Sequence, residues 1–163
     1  MKLVGLEHRM KSEQRFREKV AEELAATFRD SVTEIAGRVP NTVRYAYQLT
    51  TGSFLLEFHR AIERLAERGD ELVFVKNLWG DSKYTGIVTR WRTQGGQIFE
   101  VQFHTSASFA ARQRTHGAYR KIRSPLSDGR EVERATAYLR EVSSTVPIPG
   151  GALTVGDYRA NSS

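Results

Sequence analysis

The stretch QIFEVQFHT, Gln97 to Thr105, constrains the fold more than any other part of the chain. Ile98, Glu100, Gln102 and His104 alternate with Phe99, Val101 and Phe103, a period of two that suits a β-strand and not a helix. One side of this strand is aromatic and aliphatic and must be covered by something apolar. The other side carries a carboxylate, an amide and an imidazole in line, roughly 7 Å apart at two residues per step. The plain explanation of such a row is the solvated side of a hairpin. The chemical explanation is a set of groups aimed at a ligand.

The flanking sequence says what kind of sheet receives this strand. TQGGQ just before it has hairpin chemistry, with two glycines able to take positive φ, and Ile87 to Arg92 before that reads as its antiparallel partner. Thr42 to Leu49 (TVRYAYQL) and Glu71 to Lys76 (ELVFVK) are rich in β-branched and aromatic residues and are predicted strands. Helices are expected at about Ser12–Ala36, where Phe16, Val20, Leu24 and Phe28 recur every four residues. Others are expected after Ser53, where Phe54, Phe58, Ile62 and Leu65 precede Gly69, from Ser106 to about Arg123, and from about Arg130 to Val142. Gly37 and Pro40 end the first pattern. The order predicts an α+β domain, a mixed and largely antiparallel sheet of four to five strands flanked by helices. Residues 1–145 are expected to form this single domain. Residues 146–163, rich in Pro, Gly and Ser, are expected to be a loosely ordered tail, with Ile148 and Leu153 available to pack back. There is no internal repeat.

Composition narrows the function classes. The 163 residues include no cysteine, which excludes disulfides and thiolate metal sites. No apolar run is long enough to span a bilayer, and the start MKLVGLEHRMKSEQ has no signal-peptide core. Lys and Arg outnumber Asp and Glu by 25 to 19, a net charge of +6 that favours an anionic partner such as a nucleotide or nucleic acid. The distribution is sharper: from Val101 to Ser127 there is no acidic residue, while Arg112, Arg114, Arg120, Lys121 and Arg123 all fall there.

Several residues could carry chemistry. Glu100, Gln102 and His104 run into a cationic helix that also offers His116 and Tyr119. Lys11, Arg15 and Lys19, with Arg9 before them, lie four apart and so share one helical face that could hold phosphate oxygens. Glu13, Glu18 and Glu22 interleave with them, so a solvated charged face explains the same pattern. Tyr84 in the loop GDSKYTGI could stack on a base. The four histidines, His8, His59, His104 and His116, have no metal-ligand spacing, and nucleophile-elbow, Walker and dinucleotide-binding motifs are missing. A Glu/His/Arg set could also cleave RNA without a metal, a base taking the 2′-hydroxyl proton and an acid protonating the leaving oxygen.

Taken together, the motifs resemble the RelA/SpoT-type pyrophosphokinases, the alarmone synthetases. RMKSEQRFREK at Arg9–Lys19 resembles their R-x-K-x-x-x-S-x-x-x-K element, KYTGIVT their G-Y-x-S-x-H loop, FEVQFHT their E-[IV]-Q-[IV]-R-T strand, and RTHGAYRKIR the helix that follows. The fuller pattern is closest to a divergent branch of toxin domains found at the ends of secreted bacterial proteins. The resemblance covers about residues 9–123.

The resemblance implies a nucleotidyltransferase-related fold. It implies transfer of the β,γ-pyrophosphate of ATP to the 3′-hydroxyl of a purine nucleotide with Mg²⁺, giving (p)ppGpp or (p)ppApp, or to a tRNA 3′ end. By position, Arg9, Lys11, Arg15, Lys19 and Arg44 are expected at ATP. Tyr84, Lys83, Gly86, His116 and Arg112 are expected at the acceptor. Glu100 would meet Mg²⁺ or take the 3′-hydroxyl proton, with Gln102 and His104 orienting acceptor and phosphate. The family's Mg²⁺-binding aspartate falls at Asn41, a poorer ligand. Either the chain is inactivated and only binds nucleotide or RNA, or the metal rests on Glu100, or the register shifts and Glu34 takes the role. A bacterial setting follows, with action in the cytoplasm after delivery as a secreted toxin, no membrane partner, and an acidic immunity protein over the basic cleft.

Overall fold

The computed structural model describes residues 1–5, 17, 20, 21, 25 and 43–160. The expectations placed on Arg9, Lys11, Arg15, Lys19, Glu34 and Asn41 lie outside the described residues. So does most of the expected first helix, whose described positions 17, 20, 21 and 25 are helical.

Six strands form one sheet in the order β1-β2-β5-β4-β3-β6. They are β1 (Lys2–Val4), β2 (Val43–Gln48), β3 (Glu71–Asn77), β4 (Ile87–Arg92), β5 (Ile98–His104) and β6 (Tyr158–Arg159). β2 and β5 pair in parallel; every other pairing is antiparallel. The expected mixed, largely antiparallel sheet is therefore present, with six strands in place of four to five. The two additional strands are three and two residues long, too short to show an alternating pattern in sequence.

The helices are α1 (Phe54–Glu67), α2 (Ser106–Ile122) and α3 (Gly129–Ser144). α1 buries Phe54, Phe58 and Ala61, the i, i+4, i+7 spacing of one helical face. That face meets the apolar side of β5: the Phe58 and Phe103 rings stand edge to face with centroids 5.0 Å apart. Trp91, Ile87 and Val101 join them with at most 1% exposure, so the centre of the core lies under the middle strands. Burying a side chain of this size contributes about 2–3 kcal/mol. α2 starts without delay after β5 because Thr105 caps it. The Thr105 hydroxyl accepts from Ser108 N–H at 3.2 Å, and the Ser108 hydroxyl accepts from Thr105 N–H at 2.9 Å, the reciprocal capping box. Asp128 caps α3 by accepting from Glu131 N–H at 2.8 Å.

Where a loose tail is expected after α3, the described residues 146–160 pack back against the sheet. Ile148 and Leu153 stay exposed at 49% and 61%, while Pro149 and Ala152 are buried. Asn77 fastens the segment: its side-chain amide donates to Ala152 O and Val155 O, both at 2.8 Å, and its backbone N–H donates to Asp157 Oδ1 at 2.8 Å. β6 then pairs with β3, Phe74 opposite Arg159. Among the described residues no helix is long and apolar enough to cross a membrane.

Candidate active site

The polar row on β5 is not a solvated hairpin face. Glu100 is 4% exposed, Gln102 5% and His104 0%. Groups like these stay buried only when partners take up their hydrogen bonds or charge. Strand register supplies the partners. Arg44 of β2 and Arg90 of β4 stand directly opposite Glu100, one on each side, so all three point from the same face of the sheet. Gln102 donates from Nε2 to Glu100 Oε1 at 2.5 Å. Arg90 Nε lies 3.9 Å from Glu100 Oε2, an ion pair without a hydrogen bond. Gln102 Oε1 and Arg90 Nε are buried and have no hydrogen-bond partner. The centre of the site is thus one carboxylate with an arginine on each neighbouring strand, and an amide oxygen and an arginine N–H without a hydrogen-bond partner among the described residues.

The far end of the row is built around His104. Its Nε2 is 3.1 Å from the Tyr84 hydroxyl and its Nδ1 is 3.1 Å from Ser108 Oγ. The Ser108 hydroxyl also reaches Thr105 O at 3.3 Å. With that O–H given to the carbonyl, Nδ1–H donates to Ser108 Oγ and Nε2 accepts from Tyr84 O–H. Burial lowers the His104 pKa to about 3, and the nearby Arg112 cation pushes the same way. His104 is therefore a neutral bridge that holds the Tyr84 loop to β5 and α2. Gly86, at φ +150°, makes the close approach possible: a Cβ there would sit 2.9 Å from Phe103 O and 3.0 Å from the His104 ring. Burial raises the Tyr84 pKa, with Arg112 and Arg44 opposing. Arg44 in turn has its pKa lowered by burial and by repulsion from Arg112. Arg112 of α2 thus acts electrostatically on both Arg44, opposite Glu100, and Tyr84, beside His104. Two cations that repel one another in a partly buried place favour an anion between them.

The structure brings together Glu100, Gln102, His104, Arg44, Tyr84, Gly86 and Arg112 from the residues expected in sequence. His104 and Gly86 shape the site; neither opens into it. Tyr84 is half-buried and tied to His104, where a free loop tyrosine was anticipated. Lys83 is exposed in the loop, its backbone N–H held by Asp81 Oδ1 at 2.6 Å. His116 is exposed one helical turn beyond Arg112, on the α2 face that also carries Tyr119. Arg90 is the residue that sequence reasoning missed. Its signal lay in IVTRWR, whose alternation puts Val88 and Arg90 on one face. Nothing in that pattern says that the face adjoins Glu100. Among the described residues there is no group of three or more His, Asp or Glu side chains suited to a metal.

No family sequence model matches the chain, and no curated protein sequence does. Solved structures do. The small alarmone synthetase 1 of Bacillus subtilis, bound to its product pppGpp, superposes with a TM-score of 0.59 at 15% identity, over 88% of this chain and 71% of that one. A GTP pyrophosphokinase family protein of Streptococcus pneumoniae gives 0.54 at 13% identity, over 88% and 70%. The Type VI effector Tas1, solved with its immunity protein, gives 0.50 at 17% identity, over 83% and 79%. The resemblance read from the motifs holds at the level of fold: the chain has the fold of the alarmone synthetases.

Proposed function

We propose that this fold is used here as in its structural neighbours' namesake reaction, as a pyrophosphokinase. It moves the β,γ-pyrophosphate of ATP to the 3′-hydroxyl of a purine nucleotide. The observation that carries the reading is the buried Glu100, which has an arginine on each adjacent strand and Tyr84 and Arg112 at the end of its row. A core that excludes water around a single carboxylate and several guanidiniums suits transfer between two polyphosphates, where positioning and neutralised oxygens matter more than covalent help.

In this reaction the 3′-oxygen attacks the β-phosphorus, the bond from the β-phosphorus to the α–β bridging oxygen breaks, and AMP leaves. Glu100 receives the 3′-hydroxyl proton. Gln102, bonded to Glu100, fixes the carboxylate, while its own Oε1 stays buried without a hydrogen-bond partner among the described residues. Arg44 and Arg112 hold phosphate oxygens, and Tyr84, set by His104, packs against the acceptor base. Mg²⁺ suits this donor set, because it takes hard oxygens from one or two carboxylates and completes its shell with phosphates. Glu100 would hold it, with residue 41 as the second expected ligand. When bound, the ion neutralises the transferred phosphates. The rival ribonuclease chemistry has less support, since His104 is fully buried, has both ring nitrogens engaged and is held toward its neutral form by burial.

The acceptor purine and the toxin role belong to the same reading. Tas1, an effector bound by an immunity protein, supports a secreted toxin with an acidic partner covering the basic site. The decisive assay incubates the protein with labelled ATP, Mg²⁺ and guanosine nucleotides, adenosine nucleotides or tRNA in turn. Labelled 3′-pyrophosphorylated product with equimolar AMP supports the proposal. Saturable ATP binding with no product from any acceptor favours a second reading, a nucleotide-binding domain disarmed at Asn41. Asn41→Asp and Glu34→Gln then decide the register. A gain of Mg²⁺-dependent transfer in the first places the metal at residue 41, and a loss in the second places it at residue 34.

A further inference from the structure

The row through Glu100 does not stop at Arg90. Phe74 of β3 stands opposite Arg90, and Arg159 of β6 stands opposite Phe74. One line of side chains therefore crosses five strands on one face: Arg44, Glu100, Arg90, Phe74, Arg159. At about 4.8 Å between strands, Arg159 sits roughly 15 Å from the Glu100 position.

The two arginines are placed with care around the ring. The Arg90 guanidinium lies 4.7 Å from the Phe74 centroid and that of Arg159 lies 5.6 Å from it. Stacking on an aromatic ring fixes the plane of a guanidinium and leaves its N–H edge free. Arg159 leaves that edge unspent, and Arg90 meets Glu100 only at ion-pair distance, 3.9 Å from Nε to Oε2. Arg90 Nε is buried without an acceptor, and the Arg159 side chain makes no hydrogen bond or ion pair among the described residues. Arg159 is exposed, and the Arg90 side chain keeps 32% of its surface. The acids nearby are otherwise engaged: Asp157 pairs with Lys76 and Glu71 with Arg92. Nor is Arg159 on a loose end. Asn77 anchors the approach to β6, and Ala160 N–H donates to Val73 O at 3.0 Å just beyond it.

We propose that Arg90 and Arg159, held on either side of Phe74, form a phosphate seat for the 5′-phosphate groups of a mononucleotide acceptor whose 3′-hydroxyl lies at Glu100. The inference rests on the transfer reading above, and it adds a site from β4 and the C-terminal strand that the motifs do not include. Phe74, between the two arginines, is two strands or about 10 Å from Glu100, a distance that the 5′ chain of a nucleotide and the length of an arginine side chain bridge together. An RNA strand would need aromatic faces on which successive bases could stack, and the one ring here already carries guanidinium on its flanks.

The test is a binding titration with a non-hydrolysable ATP analogue saturating the donor site. Guanosine and adenosine are compared with their 5′-diphosphates on the parent protein, on Arg159→Ala, and on Arg64→Ala, an exposed arginine of α1, the helix on the opposite face. The diphosphates are expected to bind about tenfold or more tighter than the nucleosides to the parent and to Arg64→Ala. Arg159→Ala is expected to remove about five- to tenfold of that preference while nucleoside affinity stays level. Phe74→Leu, which keeps the core volume but removes the ring, is expected to act in the same direction. An unchanged diphosphate preference in Arg159→Ala overturns the seat, as does an equal loss for nucleoside and diphosphate. A short single-stranded RNA that depends on Arg159 more strongly than the diphosphate does overturns the mononucleotide assignment. Binding needs no turnover, so the outcomes separate. An inert protein whose diphosphate preference needs Arg159 keeps the seat and sinks the transfer. An active protein that treats nucleoside and nucleotide alike keeps the transfer and sinks the seat.

Discussion

The two faces of β5 are equally buried and are buried for opposite reasons. Phe99, Val101 and Phe103 face α1 and its aromatic rings, and any well-shaped apolar neighbour would satisfy them. Glu100, Gln102 and His104 are as dry, yet each depends on named partners: Arg44 and Arg90 across the ladder, Tyr84 from a loop, Ser108 from α2. The first face tolerates change in proportion to volume. The second tolerates change only when the replacement keeps the hydrogen bonds, because an orphaned polar group there bears its full desolvation penalty. One strand thus serves as the spine of the core and the floor of the candidate site, on alternate residues.

The comparison can be broken at either face. The largest loss of stability is expected from Phe103→Ala, about 3–5 kcal/mol from lost burial and the cavity left behind, read as a fall in the urea midpoint. Phe103→Leu should cost under half of that. Glu100→Gln should reduce transfer about 10²–10⁴-fold, the usual reach of a positioned base, while the thermal midpoint moves by no more than a few degrees. A midpoint collapse on the scale of Phe103→Ala would show that Glu100 is a structural ion-pair residue and end the contrast drawn here.

His104 gives an acid-dependent test. Its pKa is held near 3 in the fold, against about 6.5 for an unperturbed histidine. The unfolded chain therefore takes up the proton first as pH falls. Stability from this group is whole above about pH 6.5 and drains away toward pH 3, by about 2 kcal/mol between pH 7.5 and 5. The groups facing the ring are Tyr84, Ser108, Phe109, the Thr85 backbone and the Arg112 cation; the cation deepens the effect and the Thr85 backbone bond opposes it. His104→Gln should flatten that part of the pH profile; a profile unchanged by the substitution would mean that the ring titrates normally. A smaller effect than that of Phe103→Ala is expected from Ser108→Ala, about 1–3 kcal/mol because Thr105 N–H and His104 Nδ1–H lose their acceptor in a buried place, with KM for the acceptor rising more than kcat falls if the serine works through His104 and Tyr84.

Alternation in QIFEVQFHT gave the phase of β5, and the four-residue spacing of Phe54 and Phe58 gave α1, because both patterns are local. The site was legible only where its residues lie in recognisable motifs. Arg90 was hidden because its partner, Glu100, is set by strand register, a long-range fact that no local period encodes. Burial of the polar row was hidden for the same reason: periodicity says which residues share a face and nothing of what covers it. β6 escaped because two residues leave no pattern, and the Asn77 clasp that positions it joins positions about eighty apart.

The C-terminal strand also has a bearing on how the protein behaves in solution. β3 is the last long strand on its side of the sheet, and without Tyr158 and Arg159 its outer N–H and C=O groups would be open to pairing with another chain. Cutting the chain after Gly150 should therefore do more than remove one arginine. It should make the truncated chain self-associate through β3 more than the full chain does, whatever its catalytic state.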